Sequence, residues 1–236
     1  MAEPIIGILG GMGPEATVEL YRSIVSITPA KQDQDHFRIL IDNNPKIPDR
    51  TAAILGKGSD PFPALLESAR ILEQAGASFL IIPCNTAHHW LPELRRSLSI
   101  PVLDMIAETA TEVARHRPTL RKIGLLATRG TIQAGLYQRA LKAKALNFLT
   151  PEPDEQDVIM EVIYRVKVGD YTAKERLLRV AQHFIQRGAE GLILGCTELS
   201  LIMKQEDADC PVFDPLYVLS HRAVMLVKDG GNDQEP

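Results

Sequence analysis

Cysteine is scarce in this sequence: Cys84, Cys196 and Cys210 are the only three among 236 residues. So few thiols exclude a disulfide framework and fit a reducing compartment. Aromatic residues are sparse too, at 5%, so stacking on bases or sugars is not expected to dominate recognition. Positive charge is not in excess. The chain has 26 Lys and Arg against 30 Asp and Glu, a formal net charge of −4, which argues against a nucleic-acid partner. No apolar run approaches the ~18 residues that would span a membrane. Met1–Pro14 also lack the basic start and apolar core of a signal peptide. The expected location is the cytoplasm, with no membrane partner. Apolar content, by contrast, is ample: 45% supports a packed interior and excludes disorder.

Short apolar runs alternate with longer amphipathic ones. Ile5–Leu9, Arg38–Ile41, Ser78–Ile82 and Pro101–Leu103 are the expected strands of the first half. Lys122–Leu126, Ala145–Leu149, Glu190–Leu194 and Pro211–Phe213 are those of the second. Several are apolar at successive positions, as in parallel strands buried on both faces. Between them, sets such as Phe62, Leu65, Leu66, Ala69 and Leu72 recur at the spacing of a helix with one buried stripe. Strands alternating with helices imply parallel sheets.

An internal repeat organises these elements. Ile6-Gly7-Ile8-Leu9 followed by Gly13 resembles Ile123-Gly124-Leu125-Leu126 followed by Gly130. Gly76-Ala77 ahead of Cys84 resembles Gly188-Ala189 ahead of Cys196, and Pro101-Val102-Leu103-Asp104 resembles Pro211-Val212-Phe213-Asp214. All three matches keep order and nearly constant offset. The expected fold is α/β with two pseudo-symmetric domains, each a four-stranded parallel sheet flanked by helices, and a site in the cleft between them. The first domain spans 1–116 and the second 117–215. A C-terminal helix over 216–228 could pack on the first, and 229–236 reads as a frayed tail. The segment Asp42–Pro63 is rich in Asn, Pro, Asp and Gly, and a loop this long is usually functional.

Cys84 and Cys196 occupy the same place in the repeat, each past its half's third strand. The carboxyl ends of parallel strands form the ligand crevice, and a helix start beyond them can lower a thiol pKa. Two thiols facing each other across a cleft suit one kind of chemistry. A thiolate removes a proton from one face of a carbon while a thiol returns one to the other face. Free cysteine is also a common core residue. Repeat-equivalent placement at strand ends favours function, and Cys210, which lacks it, reads as structural.

Here the chain resembles the cofactor-independent aspartate/glutamate racemases over nearly its whole length. The motifs are Gly10-Gly11-Met12-Gly13-Pro14, Asn43-Asn44-Pro45, Pro48-Asp49-Arg50-Thr51 and Pro83-Cys84-Asn85-Thr86-Ala87-His88. Leu126-Ala127-Thr128-x-Gly130-Thr131 and Gly195-Cys196-Thr197-Glu198-Leu199 complete the set. The resemblance implies racemisation of an acidic amino acid by Cys84 and Cys196 with neither pyridoxal phosphate nor metal, in a homodimer. Glutamate racemases are similar but usually open with Asp-Ser-Gly and carry Gly-Cys-Thr-His at the second cysteine. Gly-Gly-Met-Gly-Pro and Gly-Cys-Thr-Glu here favour the aspartate branch.

An acidic amino acid brings two carboxylates and an ammonium. Hydroxyls and amides of Asn85, Thr86, Thr128, Thr131 and Thr197 are candidates for the α-carboxylate, whose charge grows on deprotonation. Threonine at these positions also serves as a helix cap. The resemblance assigns Arg50 and Lys167 to the side-chain carboxylate. Asn43 is expected near the crevice, and Glu198 could receive the ammonium or tune Cys196. Three rivals remain. Gly11-x-Gly13-x-x-Ala16 with Asp42 matches a dinucleotide fingerprint and suggests a nicotinamide-dependent oxidoreductase, although the pattern is short. A non-catalytic protein that binds an acidic ligand would use the same cleft. A dicarboxylate decarboxylase or isomerase on the same fold would need one cysteine. Cys84 with His88 or His89 falls short of the four ligands of a structural zinc site.

Overall fold

The computed structural model describes residues 3–116 and 120–230. The expected join between the halves and most of the expected tail fall partly outside these. The first half runs β1 (Ile6–Gly10), α1 (Pro14–Ile27), β2 (Ile39–Asn43), α2 (Arg50–Ile54), α3 (Phe62–Gln74), β3 (Phe79–Ile81), α4 (Leu91–Ser97) and α5 (Met105–Arg115). The second runs β4 (Lys122–Ala127), α6 (Arg129–Gln133), α7 (Leu136–Ala143), β5 (Asn147–Leu149), α8 (Pro153–Lys167), α9 (Lys174–Gln186), β6 (Gly191–Gly195), α10 (Thr197–Ile202), β7 (Val212–Phe213) and α11 (Pro215–Lys228). No helix among the described residues is long and apolar enough to cross a membrane.

Both sheets are parallel, ordered β2-β1-β3 and β5-β4-β6-β7. The two orders are the same plan twice. The first sheet differs from the expected four strands, because its fourth position is a single bridge between Leu80 and Val102. Leu80 N donates to Pro101 O at 2.9 Å, as Leu192 N does to Pro211 O. Each chain then turns into a helix capped by an aspartate, Asp104 or Asp214, so pairing there has little length to develop.

Gly7 and Gly124 show why the repeat keeps glycine mid-strand. A Cβ on Gly7 would sit 2.5 Å from Leu80 Cδ2, and one on Gly124 2.6 Å from Leu192 Cδ2 and 2.7 Å from Phe184 Cδ1. At both places the neighbouring strand packs against the bare backbone.

α11 completes the first half rather than the second. Leu216, Leu219, Ala223 and Val224 share a core with Ile6 and Ile8 of β1 and with Leu20 and Ile24 of α1. Each fully buried leucine or isoleucine of this kind contributes about 1.5–3 kcal/mol. α5 leans the other way: Ile106, Ala110 and Val113 pack with Leu125, Tyr137 and Ile193 of the second half. The halves are thus joined by shared apolar surface, which sets the two strand ends face to face.

Candidate active site

Cys84 follows β3 and Cys196 follows β6, and each is only 6% exposed. Both line one cavity between the halves, of about 20 Å³. That is room for one water and not for an amino acid, so the cleft is narrow in this state. Cys84 is close enough for its charge to act on Cys196.

The chain after Cys84 differs from the expected helix start, whereas the chain after Cys196 agrees with it. Past Cys84 it forms a 3-10 turn over Thr86–Trp90, and past Cys196 the six-residue α10 with Cys196 as its N-cap. A helix start does not lower the Cys196 thiol. Burial and then the Glu198 carboxylate push its pKa well above the ordinary value, and Lys167 opposes them only in part. The Cys196 thiol donates to Glu198 Oε2 at 2.9 Å. Lys167 Nζ donates to Glu198 Oε1 at 2.5 Å and to Met12 O at 3.3 Å. Burial opposes the charge on Lys167, yet Glu198 and the two thiols outweigh it and raise its pKa. Glu198 is therefore engaged by Cys196 and Lys167 together.

Arg50 begins α2, whose N-cap Asp49 accepts from Ala52 N at 2.6 Å. Its guanidinium is held by three backbone carbonyls: Ile47 O and Pro48 O on Nη1, at 3.0 and 2.9 Å, and Met12 O on Nη2, at 3.1 Å. Arg50 Nε is buried without a partner. The glycine-rich turn after β1 serves this arrangement. Gly11 has φ +93° and presses on the Asn44 backbone, and a Cβ on Gly10 would strike Thr17. The close approach that glycine permits here is taken up by the chain itself.

Thr86, Thr128 and Thr131 form a triangle of hydroxyls across the halves, with Oγ1 separations of 3.0 Å for 86–128, 2.9 Å for 86–131 and 3.0 Å for 128–131. Thr86 and Thr128 line the cavity, while Thr131 is fully buried behind them and does not. Thr197, also in the lining, donates to Pro83 O at 3.4 Å. Asn85 lines the cavity too. Asn43 does not: it is exposed at the end of β2. β2 is the edge strand, whereas the cavity opens beyond β3 and the turn after β1. His88 has both ring nitrogens engaged, Nδ1 with Cys84 O at 2.9 Å and Nε2 with Met105 N at 3.1 Å. Neither is left to bind a metal, and His88 serves to hold the Cys84 backbone.

Met12, Asp49 and Thr51, which the motifs contain without a stated role, also line the cavity, as do Met160, Ile163 and Tyr164, which no motif marked. Met160, Ile163, Tyr164 and Lys167 stand at i, i+3, i+4 and i+7 on α8. Starting from Lys167, helical spacing alone would have found that wall. Tyr164 Oη lies 3.5 Å from Asp49 Oδ2 at the rim.

Residues 9–223 match the sequence family described as Asp/Glu/Hydantoin racemase. The chain belongs to the Asp/Glu/hydantoin racemase family. Its structure is similar to that of the Picrophilus torridus aspartate racemase, at 31% identity and a TM-score of 0.85, covering 95% of this chain and 94% of that one. In sequence it is similar to the broad specificity amino-acid racemase RacX of Bacillus subtilis. They share 26% identity over 227 residues, 93% of this chain and 96% of that protein. It is also similar to the glutamate racemase of Aquifex pyrophilus, 29% over 181 residues, 71% of this chain and 65% of that one. Membership in the racemase family supports an isomerase. The family relatives divide over their amino acid, so the choice of substrate rests on the site.

Proposed function

We propose that this protein interconverts L- and D-aspartate, and glutamate more weakly, by proton transfer between Cys84 and Cys196 without a cofactor. One observation supports it most: two buried cysteines from equivalent points of a duplicated fold line the same narrow cavity. The thiolate of one takes the α-hydrogen, and the C–H electron pair passes into the α-carboxylate as an enediolate. The thiol of the other then gives its proton to the opposite face. One proton leaves and one arrives, and the two sulfurs exchange states.

Asn85, Thr86, Thr128 and Thr197 supply donors for the carboxylate that gains charge. Arg50 and Lys167 supply cations for the side-chain carboxylate, which Lys167 takes by exchanging Glu198 for substrate. A cavity of about 20 Å³ requires the cleft to open for entry. Reclosure then excludes water from the carbanion.

Proton NMR of aspartate in deuterated buffer, read alongside optical rotation, tests this reading. Loss of the α-proton signal with loss of rotation is expected, and added metal or pyridoxal phosphate should change neither. Binding without exchange would point to a ligand-binding protein instead. Cys84→Ala and Cys196→Ala should each abolish racemisation with the fold retained; full activity in either would sink the two-base scheme. The resemblance further implies a homodimer, which sedimentation over a range of concentrations checks.

A further inference from the structure

Asn85 carries an amide with two chemically distinct ends, and this structure treats them differently. The residue is buried, with only 2% of its surface exposed. The phenol of Tyr137 donates to Oδ1 at 2.6 Å. Nδ2, which carries two hydrogens, is buried with no partner. An unmade buried donor is uncommon and calls for a reason. Here the reason lies beside it, because Asn85 forms part of the cavity wall next to Cys84.

We propose that Tyr137 is a positioning residue: by occupying Asn85 Oδ1, it turns Nδ2 toward the substrate as a hydrogen-bond donor for the α-carboxylate. This rests on the racemase reading of the cavity. An amide left to itself can present either end, and the acceptor end would repel a carboxylate. The phenol, by donating to Oδ1, takes the acceptor end for itself and leaves the donor end free.

Two features fit Tyr137 for this. It is fully buried on α7, packed with Ile106, Leu125, Ile193 and Phe213, so its ring has no freedom to swing away. Burial also raises its pKa well above the ordinary tyrosine value, which keeps the hydroxyl protonated around neutral pH. Tyr137 touches neither sulfur nor substrate; it acts through Asn85.

A double-mutant cycle separates this role from plain packing. Tyr137→Phe, Asn85→Ala and the pair are compared with wild type for aspartate racemisation and for L-aspartate binding by calorimetry. The binding measurements use a Cys84→Ala background that does not turn over. Tyr137→Phe is expected to weaken both binding and kcat/KM about tenfold where Asn85 is present. In the Asn85→Ala background it should change neither, because the amide it orients is gone. Asn85→Asp, which puts an acceptor where the donor stood, should weaken binding at least as much as Asn85→Ala. Equal losses in both backgrounds, or none in either, would overturn the role, and thermal unfolding of each variant shows whether a loss follows from unfolding. A wild-type protein that binds aspartate with this same coupling but exchanges no α-hydrogen would instead overturn the racemase reading and leave Tyr137 its role.

Discussion

Glu198 accepts from the Cys196 thiol with one oxygen and from the Lys167 ammonium with the other. A carboxylate there disfavours the Cys196 thiolate, so the resting protein keeps that proton on sulfur. Glu198→Gln removes the charge and keeps the shape. The Cys196 pKa should fall, and its alkylation by iodoacetamide at neutral pH should accelerate by about tenfold for each unit lost. Mass spectrometry of the Cys196 peptide measures this, and an unchanged or slower rate would refute it. Since L and D enantiomers have equal free energies, kcat/KM stays equal in both directions whatever Glu198 does. An asymmetry between the sulfurs shows instead in kcat and KM taken separately, and Glu198→Gln should move the ratio of the two KM values. The same change removes the charge that pairs with Lys167, at a cost of about 3 kcal/mol for breaking a buried pair.

Elements from opposite halves meet with little space to spare. A Cβ on Gly130 of α6 would lie 2.8 Å from Thr51 Oγ1 and 2.9 Å from Thr51 Cα of α2. α2 carries Arg50, and Thr128 caps α6, so this contact sets how closely Arg50 and Thr128 approach. Gly130→Ala should therefore hold the cleft ajar and lower kcat/KM for aspartate by about 10²-fold, the effect of a displacement near 1 Å. Its melting temperature should fall by only a few degrees, since overpacking costs about 1–3 kcal/mol. Steady-state kinetics beside a thermal melt separates the two, and wild-type kinetics would show that the contact does not govern closure.

The long segment from Asp42 to Pro63 illustrates what was legible at this scale. Its Pro, Gly and Asn content marked it as a functional loop. The short α2 inside it, started by the Asp49 cap, was hidden because five residues are too few for a periodic signal.

Across the whole molecule, the buried thiol links function to stability. Cys196 has a raised pKa in the folded state. Below the ordinary thiol value, near 8.5, both folded and unfolded chains hold the proton and its contribution to stability is complete. As pH rises toward the folded value, the unfolded chain releases that proton while the folded chain retains it, and stability is lost. The melting temperature should decline as pH climbs from about 8.5 toward 10. Cys196→Ala should flatten part of that decline, and identical slopes in the two proteins would contradict the link. Tyr137, raised by burial, adds to the loss at still higher pH.

The duplicated parallel plan was legible in the amino-acid order, because apolar runs, helical spacing and repeat motifs are local patterns that survive without coordinates. The two cysteines stood out in the same way, through their equivalent places in that repeat. Other readings from the order alone went astray. They placed Asn43 at the crevice, where the exposed end of an edge strand keeps it away. They suggested a helix start that lowers a thiol, where burial and a carboxylate raise it instead. It took the folded chain to establish that Glu198 bridges Cys196 and Lys167, that α11 completes the first half, and that Tyr137 holds Asn85. Those outcomes depend on contacts between residues far apart in the chain, whose distances and burial no one-dimensional pattern encodes.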